Sequence, residues 1–271
     1  MATNPSEIRA PGYQPPPLRL RGRSLLPVVQ GGMGVGISAH RLAGTVARQG
    51  AIGTIASVDL RRHHDDLMQL TDRSRDRAAI ERANLVALDR EIKAALGLAQ
   101  GNGLVSVNVM RAVTQYADYV RQACESGAQA ITMGAGLPLD LPELTADFPD
   151  VALIPILSDA RGITLVLKKW LRKNRLPDAI VIEHPRHAGG HLGAAAVEDV
   201  DDPRFDFPRV LEESFAALRT LGIERERIAL IPAGGINTHE KLRELLEHGA
   251  DAVQIGTPFA VTEEGDAAVG F

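Results

Sequence analysis

The densest group of chemically useful side chains lies in one segment, 183–193. It reads Glu183-His184-Pro185-Arg186-His187-Ala188-Gly189-Gly190-His191-Leu192-Gly193. His187 and His191 have the i, i+4 spacing of a helical zinc pair, but Pro185 and the two intervening glycines disfavour a helix, so no metal site is expected. A loop histidine titrates near neutral pH, and His191 is therefore the candidate general base or proton donor. For His184 and His187 a plain surface role is the favoured interpretation.

Three glycine-rich segments offer backbone that a ligand can approach closely. They are Gln30-Gly31-Gly32-Met33-Gly34-Val35-Gly36, Pro232-Ala233-Gly234-Gly235-Ile236-Asn237-Thr238 and Gln254-Ile255-Gly256-Thr257. One helix and one strand separate Gly234 from Gly256, which predicts adjacent turns whose N–H groups suit a phosphate monoester. The first segment lacks the spacing of a dinucleotide fingerprint, and ordinary tight turns remain an open alternative for all three. Asn108 either hydrogen-bonds the edge of a heterocycle or is satisfied by backbone.

The elements that must position these residues alternate between strand and helix. Near-continuous apolar runs predict eight strands, at 25–30, 51–56, 104–110, 130–134, 151–158, 179–183, 228–233 and 252–256. Helical spacing of apolar residues predicts helices at 39–48, 112–126, 162–173, 207–221 and 238–248. Strands of this kind belong to a parallel sheet covered by helices, so we predict an α/β fold, a (β/α)8 TIM barrel. Its active site would lie at the carboxyl ends of the strands.

Two segments depart from a minimal barrel. Residues 59–100 form a long charged stretch that predicts a solvated helical insertion after strand 2, with surface roles for its adjacent His63 and His64. After Thr257 only 14 residues remain, barely enough for an eighth covering helix. Either the barrel closes imperfectly or the chain is shorter than the native protein. We expect a Pro-rich extended arm at 1–24 and one barrel domain at 25–271.

Composition narrows the class of protein. The chain has 271 residues, 45% hydrophobic and 24% charged, which describes a globular protein rather than a disordered one. A net charge of −4 without a basic block argues against nucleic acid as a partner. The single cysteine, Cys124, excludes an internal disulfide. No apolar run is long enough for a membrane span, and a cytoplasmic location is expected.

These residues resemble the nitronate monooxygenase family, formerly called 2-nitropropane dioxygenases. The resemblance rests on five segments in the family's order and spacing: Pro27-Val28-Val29-Gln30-Gly31-Gly32-Met33, Val107-Asn108-Val109-Met110, His187-Ala188-Gly189-Gly190-His191-Leu192-Gly193, Ala233-Gly234-Gly235-Ile236 and Gln254-Ile255-Gly256-Thr257. It implies a barrel that binds FMN, with His191 as the catalytic histidine and Glu183 near the family's carboxylate. The implied cofactor residues are Gly31, Gly32, Met33 and Asn108 around the flavin ring, Gly234, Gly235, Gly256 and Thr257 at the phosphate, and in addition Glu183, Gly189 and Gly190.

The implied activity is oxidation of alkyl nitronates with O2 to carbonyl compounds and nitrite. Two alternatives stay open. Flavin-type enoyl-acyl-carrier-protein reductases share the A-G-G-H element and would use NAD(P)H. A truncated, non-catalytic barrel would bind no flavin at all. The oligomeric state is also open, although uncovered first and last strands favour a homo-oligomer.

Overall fold

The computed structural model describes residues 14–187, 189 and 193–267. Eight parallel strands close into a barrel in the order β10-β3-β4-β5-β6-β7-β8-β9. The barrel strands are β3 (Val28–Gln30), β4 (Ile52–Ala56), β5 (Leu104–Met110), β6 (Ala130–Gly134), β7 (Ala152–Leu157), β8 (Ala179–Glu183), β9 (Ala229–Ala233) and β10 (Val253–Ile255). This closed parallel barrel confirms the predicted fold class.

Helices follow the strands and cover the outside of the barrel. They are α1 (His40–Arg48), α2 (Asp65–Thr71), α3 (Arg77–Ala99), α4 (Tyr116–Glu125), α5 (Leu141–Leu144), α6 (Ala160–Leu171), α7 (Phe207–Thr220), α8 (His239–Glu247) and α9 (Thr257–Ala260). Their buried faces and the outward residues of the strands form the larger core cluster, which includes the fully buried Trp170. Within the described residues, no helix is both long and apolar enough to cross a membrane.

A small antiparallel hairpin precedes the barrel. Its strands are β1 (Leu18–Leu20) and β2 (Arg23–Leu25), and their leucines join the cluster of inward-facing residues from the barrel strands. The hairpin thus fills the end of the barrel opposite the site. It also explains why β3 starts at Val28 rather than at residue 25, since Leu25 belongs to the hairpin and Pro27 has no N–H to donate. Apart from Leu25, the hairpin lies within the expected arm, 1–24; the division into arm and domain stays a prediction.

The charged segment 59–100 is only partly an insertion. The long helix α3 packs against α1 and α4 and is the covering helix between β4 and β5. Half of its eight buried residues are alanines, and the larger ones are Asn84, Leu88, Glu91 and Ile92. The additional structure is a short helical turn at Leu60–His63 followed by α2. The expectation of a solvated segment is therefore wrong for α3, because a narrow stripe of small residues suffices to pack helices closely.

The chain after β10 forms a short helix and then returns to α1. Phe259 of α9 packs with Met33 against Leu42 and Val46, where a longer eighth helix was considered. Because the eight strands form a closed barrel, the expected alternative of imperfect closure is wrong.

Candidate active site

The register of the strands brings the predicted glycine turns to one end of the barrel. Gln254 pairs with Ala233, and Ile255 pairs with Gln30, so β10 lies between β9 and β3. The turns that follow these three strands are consequently neighbours. The N–H of Gly31 extends the pairing by donating to the carbonyl of Ile255 at 2.9 Å.

The turn after β3, at Gly31, Gly32 and Met33, has no room for additional side chains; we call it the ring-side turn. A Cβ atom added to Gly32 would lie 2.5 Å from the Cβ of Asn108. A Cβ added to Gly31 would lie 3.2 Å from the side chain of Gln254. The predicted partners Gly32 and Asn108 are therefore in contact across the barrel mouth, and glycine is required there by close approach rather than by backbone angle.

Gln30 has a role that sequence reasoning missed. It is fully buried, and its side-chain oxygen accepts from the N–H of Thr54 at 2.8 Å while its nitrogen donates to the Thr54 carbonyl at 3.1 Å. The same nitrogen also contacts the carbonyl of Gly31. Since β3 and β4 are paired only at Val29 and Ile52, the Gln30 amide replaces missing ladder bonds and fixes the start of the ring-side turn. A glutamine beside a glycine pair was the available signal.

The turn after β9, at Gly234 and Gly235, depends on backbone conformation; we call it the phosphate-side turn. Gly234 has φ +106° and Gly235 has φ +69°, values that residues other than glycine rarely adopt. The ring of His187 lies against this turn, with Cδ2 2.9 Å from the position of a Cβ on Gly235. Thr238 then caps α8 by accepting from the N–H of Lys241 at 3.1 Å.

Gly256 and Thr257, the other residues of the predicted phosphate site, follow β10 at the same end of the barrel. Gly256 lies against Met33, whose Sδ is 3.6 Å from an added Cβ. Thr257 is exposed at the start of α9. Gly189 is exposed, with no described heavy atom within 4 Å of an added Cβ. Gly190 and His191 lie outside the described residues.

Inside the barrel, side chains change from apolar to polar toward the mouth. Along β8 the inward positions are Ala179, Val181 and the half-buried Glu183, and β5 likewise carries the polar Asn108 two residues before its end. Extending the pairing of Ile156 with Val181 by two residues places Ser158 beside Glu183. The Ser158 hydroxyl is buried with no hydrogen-bond partner among the described residues. It is a second polar group that the sequence did not single out, because a serine after a strand carries no distinctive pattern.

His184 is not a plain surface residue. It is half-buried, and its ring packs edge-on against Phe207 at 5.6 Å between centroids and lies 5.4 Å from the ring of His187. Burial, assisted by the charge of His187, lowers the pKa of His184 below its ordinary value. The neutral form is thus favoured. His187 is exposed, as expected, but its ring supports the phosphate-side turn.

The adjacent histidines of the charged segment also have specific contacts. His64 Nε2 lies 3.0 Å from Oε1 of Glu91, a carboxylate that is almost completely buried. His63 Nε2 lies 2.8 Å from the position of a Cβ on Gly36, close to the ring-side turn. The expected surface roles are therefore wrong. Within the described part of the chain, no group of three or more His, Cys, Asp or Glu side chains is arranged to hold a metal ion.

Comparisons with known proteins agree with this geometry. A family model described as nitronate monooxygenase matches residues 23–270. A probable nitronate monooxygenase of Bacillus subtilis (strain 168) is 25% identical over 253 residues, which cover 89% of this chain and 67% of that protein.

Two solved structures share the barrel fold. Nitroalkane oxidase from Streptomyces ansochromogenes has a TM-score of 0.61 at 18% identity, covering 89% of this chain and 67% of that one. FabK from Thermotoga maritima has a TM-score of 0.59 at 19% identity, covering 89% of this chain and 61% of that one. The chain therefore spans about two thirds of the length of these relatives or slightly less.

Proposed function

Because the chain belongs to the nitronate monooxygenase family, we propose that it is an FMN-dependent enzyme that oxidises alkyl nitronates with O2 to carbonyl compounds and nitrite. The family match over residues 23–270 carries this proposal. The family and its relatives indicate a flavin-dependent oxidoreductase; FMN and the nitronate substrate are the finer proposal. A cytoplasmic location and a homo-oligomer stay predictions.

The ring-side turn suits a flat heterocycle. Gly31 and Gly32 present bare backbone, and Asn108 and Gln254 supply amide groups directly beside it. Such amides can hydrogen-bond the polar edge of a flavin ring, which has both donors and acceptors. These contacts support Gly31, Gly32, Met33 and Asn108 as the ring-binding set.

The phosphate-side turn suits a phosphate monoester. Gly234 and Gly235 adopt left-handed backbone immediately before α8, and Gly256 and Thr257 lie on the adjacent strand's turn. Backbone N–H groups at turns after strands seven and eight are a common phosphate site in barrels of this kind. FMN has a flat ring at one end and a single phosphate at the other. The ring-side turn suits the first of these ends, and the phosphate-side turn suits the second.

When bound, FMN would supply the redox chemistry, because the protein's own side chains do not transfer electrons between a nitronate and O2. The protein's part is to bind, orient and move protons. His191 would accept the carbon-bound proton of a neutral nitroalkane, leaving the nitronate anion, or would orient that anion when protonated. Glu183 and Ser158 lie side by side at the same mouth and would form the polar wall of the site, with Gly189 and Gly190 as further proposed cofactor contacts.

Replacement of the proposed base tests the assignment directly. The change His191→Ala should lower turnover of a neutral nitroalkane by roughly 10²- to 10⁴-fold, the usual contribution of a general base. Turnover of a preformed nitronate should fall much less, because its proton is already gone. Both rates are measured by nitrite release, with bound FMN quantified by its visible absorption. Full nitroalkane turnover by a variant that retains FMN would contradict the role of His191.

The reductase alternative has its own observation, the Ala188-Gly189-Gly190-His191 element shared with flavin-type enoyl-acyl-carrier-protein reductases. Anaerobic mixing separates the two activities. Bleaching of the flavin by a nitronate but not by NADH or NADPH supports the monooxygenase. Rapid bleaching by a reduced nicotinamide supports the reductase. Protein without any visible flavin absorption, even after incubation with FMN, would be a non-catalytic barrel.

A further inference from the structure

The helix after the ring-side turn begins without a cap of its own. Helix α1 starts at His40, and its N-cap residue Ala39 has no side-chain oxygen to accept from the first turn. A helix start leaves four backbone N–H groups without partners inside the helix. Here these are the N–H groups of residues 39–42, and their partners must come from elsewhere in the fold.

Two carboxylates distant in sequence provide those partners. Asp266 Oδ2 accepts from the N–H groups of Ala39 at 2.8 Å and Leu42 at 3.1 Å, and its Oδ1 accepts from Arg41 at 3.2 Å. Glu91 Oε2 accepts from the remaining N–H, that of His40, at 2.8 Å. All four groups are thus satisfied, three of them by one residue that is 227 positions away from Ala39.

The segment that carries Asp266 starts at the cofactor site. We call residues Gly256–Asp266 the strap. At its beginning Gly256 lies close to Met33 of the ring-side turn, and Phe259 and Met33 both pack against the buried cluster that includes Leu42. At its end the Asp266 N–H donates to the carbonyl of Ile37 at 3.2 Å. Between these points Arg41 donates to the Glu263 carbonyl at 2.9 Å.

The strap therefore joins the two ends of the proposed flavin site. Gly256 and Thr257 lie at the proposed phosphate site, whereas residues 37–42 continue directly from the ring-side turn. Ser38, two residues before α1, accepts through its Oγ from the N–H of Met33 at 2.9 Å. This bond ties Met33 of the ring-side turn to the start of α1. A change at Asp266 would act on the ring-side turn through these bonds.

We infer that Asp266 is a positioning residue for the flavin: by capping α1 it holds the ring-side turn against the bound isoalloxazine. This inference rests on the proposed function. Asp266 does not reach the reacting atoms itself. Its loss should weaken FMN binding and change the environment of the flavin ring, while the phosphate-side turn after β9 keeps its structure.

The test compares Asp266→Ala with Asp76→Ala. Asp76 caps α3 by accepting from Ala78 at 3.0 Å and Ala79 at 3.2 Å, so its loss removes a helix cap away from the flavin turns. FMN affinity is measured by titration of flavin fluorescence, and the ring environment by visible circular dichroism of the bound flavin. Hydrogen exchange of the amides of residues 39–42 reports the cap itself.

Asp266→Ala should weaken FMN binding by about tenfold, an effect typical of one lost helix cap. It should also alter the flavin circular dichroism and accelerate exchange at residues 39–42. Asp76→Ala should leave FMN affinity and the flavin spectrum unchanged. If Asp266→Ala does not fold, Asp266→Asn keeps one acceptor oxygen and should show a smaller loss of affinity in the same direction.

Two results would overturn the inference, and they differ. If the unaltered protein binds FMN and both aspartate variants bind it equally well with the same flavin spectrum, Asp266 has no positioning role and the proposed function stands. If the unaltered protein binds no FMN, the proposed function is wrong, and the inference is wrong with it.

Discussion

The ring-side and phosphate-side turns are both glycine pairs after barrel strands, yet they need glycine for different reasons. At Gly32 the limit is space, because the side chain of Asn108 occupies the position that a Cβ would take. At Gly234 and Gly235 the limit is backbone conformation, with φ of +106° and +69°. A steric limit belongs to two residues and can be relieved by changing the second one. A conformational limit belongs to the glycine alone.

The largest effect is expected from Gly32→Ala. The added methyl would overlap Asn108 at the edge of the barrel, where neither strand can move freely, and overpacking of this kind costs about 1–3 kcal/mol or more. We expect loss of bound FMN and a lower melting temperature. Asn108→Gly in the same chain should recover part of the stability. Gly97→Ala is the control, since that helical glycine has open space around it and should become slightly more stable.

A smaller effect is expected from Gly235→Ala. The φ of +69° is left-handed, and a non-glycine residue there costs roughly 1–2 kcal/mol. Asparagine tolerates this region better, so Gly235→Asn should lose less stability than the alanine variant, as measured by urea unfolding.

Removal of the His187 ring, which lies against Gly235, separates the steric limit from the conformational limit at the phosphate-side turn. His187→Ala relieves the contact with Gly235 but not its φ, so it should rescue Gly235→Ala less completely than Asn108→Gly rescues Gly32→Ala. Equal rescue at both turns would show that space, rather than backbone conformation, limits the phosphate side as well.

The two sides should also respond oppositely to pH. Near the ring side, the hydrogen bond to Glu91 raises the pKa of His40 above 6.5 despite partial burial. Its stabilising contribution is full below pH 6.5 and is lost as the pH rises through the raised pKa. Near the phosphate side, the pKa of His184 is lowered, so the unfolded chain takes up the proton first as the pH falls below 6.5. Stability is then lost toward acid pH.

Melting curves from pH 5 to pH 8, about the range in which histidine titrates, check these signs. The unaltered protein should have a higher melting temperature than His40→Gln at low pH. This difference should shrink as the pH rises, because His40 loses its proton and the ion pair with Glu91 disappears. As the pH falls, the melting temperature of the unaltered protein should decrease more than that of His184→Gln. If the unaltered protein gains or loses melting temperature relative to both variants in the same direction as the pH falls, the opposite pKa shifts of His40 and His184 are wrong. Burial alone would raise the pKa of Glu91, but the hydrogen bonds from His40 outweigh it and lower that pKa below 4.5, so the stability from this carboxylate is lost on the acid side of the histidine range.

The smallest effect is expected from Met33→Leu. Met33 lies close to Gly256 and packs, like Phe259, against the apolar cluster of Leu42, Val46 and Ala51, so a residue of similar volume should cost less than about 1.5 kcal/mol. FMN affinity should change little, and a thermal melt with a flavin titration measures both. A large loss of FMN with unchanged stability would mean that the Met33 side chain itself contacts the flavin.

Most of the barrel could be predicted because its strands are continuous apolar runs bounded by glycine, proline or charged residues. Three strands, Leu104–Met110, Ala130–Gly134 and Ala179–Glu183, have the predicted limits, and the others differ by one to three residues at an end. The role of α3 was missed because alanines form much of its buried stripe, which carries little hydropathy among many charges. Patterns based on apolar periodicity detect large side chains better than close packing of small ones.

The candidate site was predictable to a different degree. The glycine turns and Asn108 could be placed at one mouth because parallel strands of a barrel present their carboxyl ends together. Ser158 and Asp266 could not be selected, because a lone serine or aspartate has no characteristic spacing. Gln30 stands beside the glycine pair in the sequence, but its hydrogen bonds to Thr54 exist only in the folded barrel. The assignments of His191, Glu183 and the glycine pairs to catalysis and FMN stay predictions.

The sequence by itself determined the barrel, the family and the turns from which a cofactor site would be built, because these follow from local pattern and from glycine's freedom. Only the tertiary structure decided why each glycine is needed, which helix covers β4 and β5, and how the N–H groups of α1 are satisfied. The physical reason is distance along the chain. Asn108 meets Gly32, and Asp266 meets Ala39, only when the barrel closes, and hydrogen bonds or steric limits between such residues leave no trace in local spacing.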